Sequence, residues 1–430
     1  MERLSSAAPD FAAALDELLA WDITEDDEVA RTAAQIIAAV RKEGDVALCR
    51  YTADLDRRDI SDASVLEIST DQLDAALARI DGRQRQALQA AAERIRAYHE
   101  HQLQDSWSYD DGLGNTLGQR ITPLERVGVY VPGGQANYPS SVLMTLIPAR
   151  VAGVDELIVT VPTPEGRYSD MVFAALAIAG VDRVFTIGGA QAVAALAYGT
   201  ETIPRVDKIV GPGGAYVAAA KRQVFGQVGI DLIAGPSEVC IVADAHADPE
   251  WVAWDLFSQA EHDAAAQAIC ISPDAAWLDR LAETLDRLLA QLTRGDIVRR
   301  SLADRGALIQ AQDMNDAIRI ANRIAPEHLE LVVADARSWA DQVTHAGAIF
   351  MGAYAGESYG DYAAGPSHVL PTFGTARFAS PLGVYDFQKR SSMIEISASG
   401  AAHLADIAVP IAEAEGLQAH ARAAAVRAKN

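Results

Sequence analysis

Apolar residues change their spacing near residue 126 of the chain. Before that point they recur every three to four positions, which predicts amphipathic helices over residues 1–24, 27–43 and 71–104. From residue 126 onward, the short runs RVGVYV, ELIVTV, RVFTI and KIV alternate with helix-like segments. Short apolar runs alternating with helices are typical of βαβ units and a parallel sheet. The pattern therefore predicts an α/β fold.

A second series of strands begins after residue 237. The runs EVCIVAD, QAICISP, ELVV and AIFM again alternate with helical segments, and Asp248-Pro249 is a typical helix start. Residues 105–122 are turn-rich, and residues 352–381 form a loop rich in Gly, Tyr and Pro. Two further helices are expected to complete the chain, so the pattern indicates two successive α/β stretches.

Composition narrows the classes of function. Of the 430 residues 50% are hydrophobic, which is enough for a folded core. The formal net charge of -23 disfavours binding to nucleic acid or anionic membranes. The three cysteines include no CxxC pair, so neither a disulfide scaffold nor a zinc ribbon is expected. With no signal-peptide pattern and no membrane span, the sequence predicts a soluble cytoplasmic protein.

Three predicted strand-to-helix turns contain double glycines. They are Gly133-Gly134, Gly188-Gly189 and Gly213-Gly214. Glycines at the carboxyl ends of parallel strands let a ligand approach the backbone beside a helix amino terminus, which suits a nucleotide. None of the three is GxGxxG, so tight turns without a ligand remain an alternative.

A pair of polar residues that suits two ligands of one metal ion, and a loop rich in polar residues, are candidates for functional sites. Gln259 and His262 are spaced to share one helix face, and Asp361 lies in a loop with Glu357 and His368. The alternatives are a structural histidine and a solvated turn. His420, near Glu415 on a predicted carboxy-terminal helix, resembles a surface residue when considered alone.

Adjacent Glu327 and His328 are candidates for proton transfer. They follow Pro326, between a helix and the strand LELVV. A carboxylate and an imidazole in one cleft can divide two proton-transfer steps, one on water and one on a hydroxyl group. A solvated connector remains the alternative.

The order of the motifs carries a resemblance to a known family. VGVYVPGG, YPSSVLM, GGAQAVAALAYG, VDKIVGPG, AGPSEV, SQAEHD, PEHLEL, GDYAAGPSHVLPT and DFQKR occur in sequence. From about Thr32 to His420, the chain resembles histidinol dehydrogenase, the family that catalyses the last step of histidine biosynthesis. A related branch of the family oxidises other small alcohols.

The resemblance implies a role for each matching position. It makes Glu327 and His328 the proton-transfer pair, and one zinc ion would be held by Gln259, His262, Asp361 and His420. The substrate L-histidinol would contact these ligands and also Ser237, His328, His368 and Glu415. NAD would contact Tyr130, Gln191 and Gly214.

Position 214 departs from the family pattern. The family usually has Asn there, whereas this chain has Gly214 in GPGGAYV. The missing amide removes about one hydrogen bond to the cofactor, a net loss of roughly 0.5–1.5 kcal/mol. We therefore expect weaker NAD binding with activity retained.

The resemblance also implies the reaction and the assembly. L-histidinol would be oxidised to L-histidine through L-histidinaldehyde, with two hydride transfers to NAD and a water-based second step. Two His, one Asp and one amide oxygen suit Zn²⁺. A homodimer would share its active sites, because the carboxy-terminal segment would reach into the partner's site.

The expected architecture is two incomplete Rossmann-like lobes, one inserted in the other. Residues 25–130 and 239–381 would form the zinc-binding catalytic part, and residues 131–238 the inserted NAD-binding part. Residues 1–24 would be an amino-terminal helix and residues 382–430 a helical dimerisation arm. The alternative functions are a sister NAD-dependent dehydrogenase of another small alcohol, a zinc hydrolase and a non-catalytic ligand-binding protein. The last would be expected to lose Glu327 and His328, which this chain retains.

Overall fold

The computed structural model describes residues 1–20, 27–133 and 138–428. Within them the strands are β1 (Glu2–Ser5), β2 (Glu67–Ile68), β3 (Trp107–Asp110), β4 (Thr116–Pro123), β5 (Arg126–Tyr130), β6 (Glu156–Thr160), β7 (Arg183–Phe185), β8 (Lys208–Val210), β9 (Gly229–Ile230), β10 (Glu238–Ala243), β11 (Gln267–Ser272), β12 (Gly306–Gln310), β13 (His328–Val332), β14 (Ala348–Met351) and β15 (Gln388–Glu395).

The α-helices of these residues are α1 (Phe11–Leu19), α2 (Asp27–Glu43), α3 (Asp45–Asp56), α4 (Thr70–Arg79), α5 (Gly82–Glu100), α6 (Pro139–Ala152), α7 (Asp170–Ala179), α8 (Gly189–Tyr198), α9 (Ala215–Val224), α10 (Pro249–Ala260), α11 (Ala275–Leu289), α12 (Gly295–Arg305), α13 (Met314–Ile324), α14 (Ala336–Ala340), α15 (Glu357–Tyr362), α16 (Ala398–Ala414) and α17 (Gln418–Arg427). Short 3-10 turns lie at Ala63–Leu66, Pro164–Gly166, Thr375–Arg377 and Val384–Phe387.

Two six-stranded sheets organise the fold. Sheet 1 has the order β1-β12-β11-β10-β13-β14, and all of its strands run parallel. Sheet 2 has the order β2-β7-β6-β5-β8-β9, in which only the short edge strand β2 is antiparallel to its neighbour. The predicted α/β class is confirmed.

Helices cover both faces of each sheet. In sheet 1, α10, α11 and α12 bury one face, while α1 and α13 bury the other. In sheet 2, α4 to α7 lie on one side, and α2, α3, α8 and α9 on the opposite side. Every residue of β10 and β11 is buried, as expected for central strands of a parallel sheet.

The predicted single helix over residues 1–24 is wrong. Residues Glu2–Ser5 form β1, which pairs with β12, and a helix begins only at Phe11. The segment ERLS carries little apolar signal of its own, so its strand conformation depends on a partner about 300 residues away in the sequence. The end of the predicted helix lies outside the described residues.

The predicted domain boundaries do not coincide with the sheets. β2 and β5 fall within residues 25–130, which were assigned to the zinc-binding part, yet both strands pair in sheet 2. Helices α2 to α5 pack on the same sheet. The chain leaves sheet 1 after β1 and returns to it at β10, so the sheet 2 unit begins about 100 residues earlier than predicted.

A small third sheet was not expected. Residues 105–122, predicted as turns, contain β3 and most of β4, and β15 pairs with β4 in an antiparallel sheet of order β15-β4-β3. Residues 382–430 are therefore not wholly helical, although α16 and α17 follow as predicted.

A search of the described helices for a long, sufficiently apolar segment found none able to cross a membrane.

Candidate active site

The predicted proton-transfer residues lie at the amino-terminal edge of sheet 1. His328 begins β13 and pairs with Val239 of the neighbouring strand β10. Helix α13 ends at Ile324, and Ala325 takes the left-handed conformation that turns the chain toward Pro326. This turn places Glu327 and His328, both less than 10% exposed, at the start of a central strand rather than in a solvated connector.

The main chain of β10 fixes the orientation of the His328 ring. Nδ1 of His328 lies 3.1 Å from the carbonyl oxygen of Glu238, which can only accept a hydrogen bond. The neutral ring therefore carries its proton on Nδ1 and leaves Nε2 as a bare acceptor. Nε2 is buried without a hydrogen-bond partner in the described residues, and it lies 3.9 Å from Asp361 Oδ1. Burial lowers the pKa of His328 to about 4, which favours the neutral ring.

Glu327 is held by the same strand. Its Oε2 accepts a hydrogen bond of 2.9 Å from the backbone N–H of Glu238 and lies 3.7 Å from His328 Nδ1. Complete burial raises the pKa of Glu327 well above its ordinary value, and the nearby acids Glu238 and Asp361 add to this rise. A carboxylate whose pKa is raised is a stronger base, when ionised, than an ordinary carboxylate.

Helix α10 brings Gln259 to the same place. Asp248 caps this helix through its hydrogen bond to Glu250 N, and Gln259 is completely buried near the other end. His262 lies two residues beyond the helix, in a turn where its N–H bonds the Gln259 carbonyl. The predicted pair therefore remains adjacent although His262 is not helical.

The surrounding groups assign the orientation of the Gln259 amide. Its nitrogen donates to Glu357 Oε1 at 3.1 Å and to the Glu238 carbonyl at 3.3 Å, and its oxygen faces His262 Nδ1 at 3.1 Å. Adjacent ligands of a zinc ion bound at ~2.1 Å are separated by roughly 3.0–3.4 Å. The Gln259 oxygen and the His262 nitrogen therefore meet at the spacing of two ligands of one metal ion.

A short helix carries the carboxylates of the site. The loop predicted over residues 352–381 contains α15, on which Glu357 and Asp361 lie one turn apart. Ligand atoms of His328, Glu357 and Asp361 all lie within 4.8 Å of one another, which makes them a possible metal-binding group. This group shares Asp361 with the predicted ligand set, and its member Glu357 contacts Gln259.

His368 connects the site to the unit built on sheet 2. Its Nδ1 lies 3.8 Å from Asp361 Oδ1, and its Nε2 lies 2.9 Å from the hydroxyl of Ser141 near the start of α6. The backbone N–H of His368 also contacts the sulfur of Met144 on that helix. The amino-terminal edge of sheet 1 therefore faces the beginning of α6, which follows β5 of sheet 2. Ser237 directly precedes β10 at the same edge.

The predicted cofactor residues lie at the carboxyl ends of the strands of sheet 2. The hydroxyl of Tyr130, at the end of β5, accepts a hydrogen bond of 3.1 Å from Gly189 N at the start of α8. Burial raises the pKa of Tyr130 to about 12, so the phenol stays protonated. Gln191, on the first turn of α8, has a buried side-chain oxygen without a hydrogen-bond partner among the described residues.

Gly214 is the residue that caps α9. It has φ -65° and ψ 179°, and no described atom lies within 4 Å of the position that a β-carbon would occupy. A side chain therefore fits there. Of the three double-glycine turns, Gly188-Gly189 and Gly213-Gly214 begin helices at this edge, whereas Gly134 lies outside the described residues.

Glu415 and His420 are not brought to the site within one chain. Glu415 is the residue that caps the end of α16, His420 lies on α17, and both residues are exposed. The structure therefore assembles Gln259, His262, Glu327, His328, Asp361 and His368 around one point but leaves these two residues on the surface.

Sequence reasoning missed the acids beneath the site. Glu238 and Glu330 are almost completely buried in strands of sheet 1, and Glu330 accepts a hydrogen bond of 2.7 Å from Glu357 N. Burial raises the pKa of Glu330 well above its usual value and that of its neighbour Asp255 to about 6. The sequence signal that could have indicated these acids is a glutamate in a strand that is mostly apolar, namely Glu330 in HLELV and Glu238 in EVCIVA.

Comparison with known proteins agrees with this arrangement. The sequence profile described as histidinol dehydrogenase matches residues 21–428. The histidinol dehydrogenase of Pseudomonas aeruginosa is 60% identical over 427 residues, covering 99% of this chain and 97% of the relative. That of Nitrosomonas europaea is 58% identical over 99% of both chains. A crystal structure of histidinol dehydrogenase from Elizabethkingia anophelis superposes with a TM-score of 0.94 at 33% identity, covering 100% of this chain and 98% of that one.

The α/β fold, with a cluster of polar residues at the edge of sheet 1, belongs to a dehydrogenase, and the predicted enzyme class, oxidoreductase, is confirmed. The chain belongs to the histidinol dehydrogenase family. The family resemblance inferred from its motifs is therefore confirmed.

Proposed function

We propose that this chain oxidises L-histidinol to L-histidine through L-histidinaldehyde, with two hydride transfers to NAD and one zinc ion per subunit. This would be the final step of histidine biosynthesis, and we place it in the cytoplasm. The observation that carries the proposal is the bare His328 Nε2, buried beside Asp361 and close to the paired Gln259 and His262.

The donor atoms fit a zinc ion. An amide oxygen, an imidazole nitrogen and a carboxylate form a mixed N/O set that suits Zn²⁺, with Gln259, His262 and Asp361 as the ligands from one chain. When bound, zinc would supply a Lewis acid that orients the amine, imidazole or hydroxyl groups of the substrate. The hydrogen bonds from the Gln259 amide nitrogen to Glu357 and to the Glu238 carbonyl keep its oxygen directed toward His262.

His328 is the proposed base in both oxidations. Its Nε2 removes the hydroxyl proton while a hydride passes to NAD from the carbon that bears this hydroxyl group. The two transfers together convert the alcohol to the aldehyde. The hydrogen bond from Nδ1 to the Glu238 carbonyl stabilises the ring while Nε2 carries the extra proton. As water then adds to the aldehyde, the proton held on Nε2 passes to the aldehyde oxygen, and the freed Nε2 takes a hydroxyl proton of the hydrate while the second hydride leaves for NAD.

Glu327 is the proposed base for the water step. Addition of water to the aldehyde requires a group that removes one proton from water as the new C–O bond forms. The raised pKa of Glu327 makes this carboxylate, when ionised, a stronger base than an ordinary one. Cys240 and Cys270 are poor candidates for a covalent route, since burial raises the pKa of both thiols far above the usual value.

The glycine-rich helix starts of sheet 2 are the proposed NAD site. The unpartnered Gln191 oxygen can accept hydrogen bonds from the cofactor, and the starts of α8 and α9 offer backbone N–H groups to its phosphates. Tyr130, which contacts the start of α8, would lie against the bound dinucleotide.

A homodimer with shared active sites is the proposed assembly. Glu415 and His420 are exposed, and α16 and the segment after it also expose Ile407, Ile411 and Leu417 by 44–55%. Exposed apolar residues on a helix favour association. We propose that this arm carries Glu415 and His420 to the partner's site, where His420 completes the zinc ligands.

The experiment that tests this function is NADH formation from L-histidinol by the purified protein, before and after a chelator and with zinc added back. Chelator-sensitive activity restored by zinc, with L-histidine as product, supports the whole proposal. A folded, zinc-loaded protein that reduces NAD with another small alcohol but not with histidinol would indicate the sister dehydrogenase. Zinc-dependent turnover without NAD would indicate a hydrolase.

Shared sites have their own test. A His420→Ala protein and a His328→Asn protein should each have strongly reduced activity, and mixing them under conditions that exchange subunits should raise the activity well above that of either variant. The mixed dimer would hold one site with both residues intact. Absence of restoration in a mixture shown to contain heterodimers would contradict shared sites.

A further inference from the structure

A completely buried ion pair lies beneath the loop that joins β8 to α9. The ammonium group of Lys221, on α9, contacts Asp231 Oδ1, and the two side chains are only 3% and 2% exposed. Desolvation makes such a pair weak evidence for stability on its own. The other partners of the two side chains therefore indicate what the pair does.

The other partners are backbone atoms on both sides of the pair. The Lys221 ammonium donates to the carbonyl oxygens of Gly211 at 2.9 Å and Leu232 at 3.0 Å, and Asp231 Oδ2 accepts from Gly211 N at 2.7 Å. The Lys221 ammonium group has three N–H donors. Asp231 Oδ1 and the carbonyl oxygens of Gly211 and Leu232 engage all three of them. Both backbone polar groups of Gly211 are thus held by the same ion pair.

Gly211 begins the segment Gly211-Pro212-Gly213-Gly214, which we call the crest. Its φ is +106°, and a β-carbon there would lie 2.2 Å from the carbonyl oxygen of Tyr130. The crest therefore passes directly against the end of β5, and only glycine permits that approach. The crest leads into α9 through Gly214, the helix cap.

The pair also holds the segment that returns the chain to sheet 1. Asp231 and Leu232 open this segment, which continues through Ser237 into β10. The first residue of β10, Glu238, bonds both Glu327 and His328 through its main chain. One buried contact thus joins the crest to the segment that leads to the proposed proton-transfer residues.

We propose that Lys221 and Asp231 are positioning residues that set the crest for NAD and hold it in a fixed relation to the segment carrying Ser237. This inference rests on the proposed function, because it takes the crest to be part of the NAD site. Neither side chain would touch the cofactor. The pair acts through Gly211 and Leu232, and its loss would let the crest move relative to Tyr130.

The test compares Lys221→Met with Lys208→Met in the full-length protein. Lys208 is the matched control, because it lies at the beginning of β8 whereas the crest follows the end of this strand. The ammonium group of Lys208 lies 2.8 Å from the Asp386 carbonyl oxygen and 3.4 Å from Asp386 Oδ1. NAD binding is measured by calorimetry without histidinol, together with zinc content and the KM for each substrate. Lys221→Met should raise the Kd for NAD about tenfold or more, because the binding loop is no longer preorganised. Zinc content and the KM for histidinol should remain within about twofold of the wild-type values, because the variant loses binding energy only toward NAD.

The outcomes separate this inference from the proposed function. A wild-type protein that neither binds NAD nor reduces it overturns the proposed function. A wild-type protein that binds NAD, with Lys221→Met binding it equally well, overturns only the positioning role. An equal loss of NAD affinity in Lys208→Met would show a general effect of removing a lysine and would also overturn it.

A second measurement covers the case in which Lys221→Met does not fold. In the wild-type protein, hydrogen exchange of residues 209–216 and 230–236 is followed with and without NAD. Because the ion pair joins the two segments, NAD should slow exchange in both of them. Slowing confined to residues 209–216 would overturn the proposal.

Discussion

The imidazole of His328 lies against the main chain of Glu238, with Nδ1 3.1 Å from the carbonyl oxygen. This contact decides which nitrogen carries the proton and leaves Nε2 as the acceptor in the buried space beside Asp361. The two residues are far apart in sequence and become neighbours because β10 and β13 are adjacent parallel strands. The chemistry of the site thus depends on the pairing of two strands.

Replacing His328 by Asn should remove the base while keeping a side chain of similar polarity. We expect kcat to fall about 10³-fold, since general base catalysis typically contributes 10²–10⁴. The measurement is steady-state NADH formation at saturating histidinol and NAD. The exposed His246, replaced by Asn in the same way, serves as a control with unchanged kcat. A kcat for His328→Asn within a few-fold of wild type would remove His328 from the mechanism.

Glu327→Gln should affect the two oxidations unequally. The amide oxygen can still accept the Glu238 N–H, so the fold of the site is retained, but the amide cannot remove a proton from water. Oxidation supplied with histidinaldehyde should therefore slow by about 10²-fold or more, as for loss of a general base, with a smaller effect on the first oxidation. Single-turnover measurements that begin with the alcohol or the aldehyde separate the two steps. Equal slowing of both would contradict the role on water.

Gly214→Asn should strengthen NAD binding. The space around this position is open among the described atoms, and φ and ψ are those of an ordinary helix cap, a place that Asn favours. One added hydrogen bond to the cofactor contributes about 0.5–1.5 kcal/mol, which corresponds to a fall in Kd of roughly 2- to 12-fold. Gly214→Ala is the matched control, because it adds the β-carbon without the amide. An Asn variant that binds NAD no better than the Ala variant would show that the amide makes no useful contact.

Ser141→Ala should weaken histidinol binding. The hydroxyl of Ser141 lies 2.9 Å from His368 Nε2; Ser141 is buried, and the side chain of His368 is 15% exposed. Without this contact the imidazole loses a partner worth about 1 kcal/mol, so we expect the KM for histidinol to rise by about fivefold with the KM for NAD unchanged. Steady-state kinetics with each substrate varied in turn provide the test. An unchanged KM for histidinol would mean that His368 keeps its position without Ser141.

Much of the core could be predicted from local pattern. The central strands β5, β6, β10, β11 and β13 are short apolar runs, and the cap at Asp248 is a local side-chain contact. Both features are decided by residues near in sequence, so periodicity and residue type were sufficient to predict them. The edge strand β1 has no such apolar signal and forms only through pairing with β12, about 300 residues away in the sequence.

The site was predictable in part. The motifs indicated Glu327, His328, Gln259, His262, Asp361 and His368, and the structure brings these residues together. They could not indicate the supporting role of Glu238, whose main-chain N–H and carbonyl hold Glu327 and His328 whatever its own side chain is. Nor could they indicate the ion pair of Lys221 and Asp231, which is recognisable only once both side chains are seen to be buried against the same glycine.

The sequence by itself determined the class of fold, the family and the residue types available for chemistry, because apolar spacing and ordered motifs are properties of short segments. Tertiary structure alone decided which strands are neighbours, where the two sheets divide the chain, and which His328 nitrogen is free. Those features arise from contacts between residues that lie tens to hundreds of positions apart in the sequence. The tertiary structure also left Glu415 and His420 exposed on the single chain, at α16 and α17, which follow β15 of the small third sheet and pack against each other.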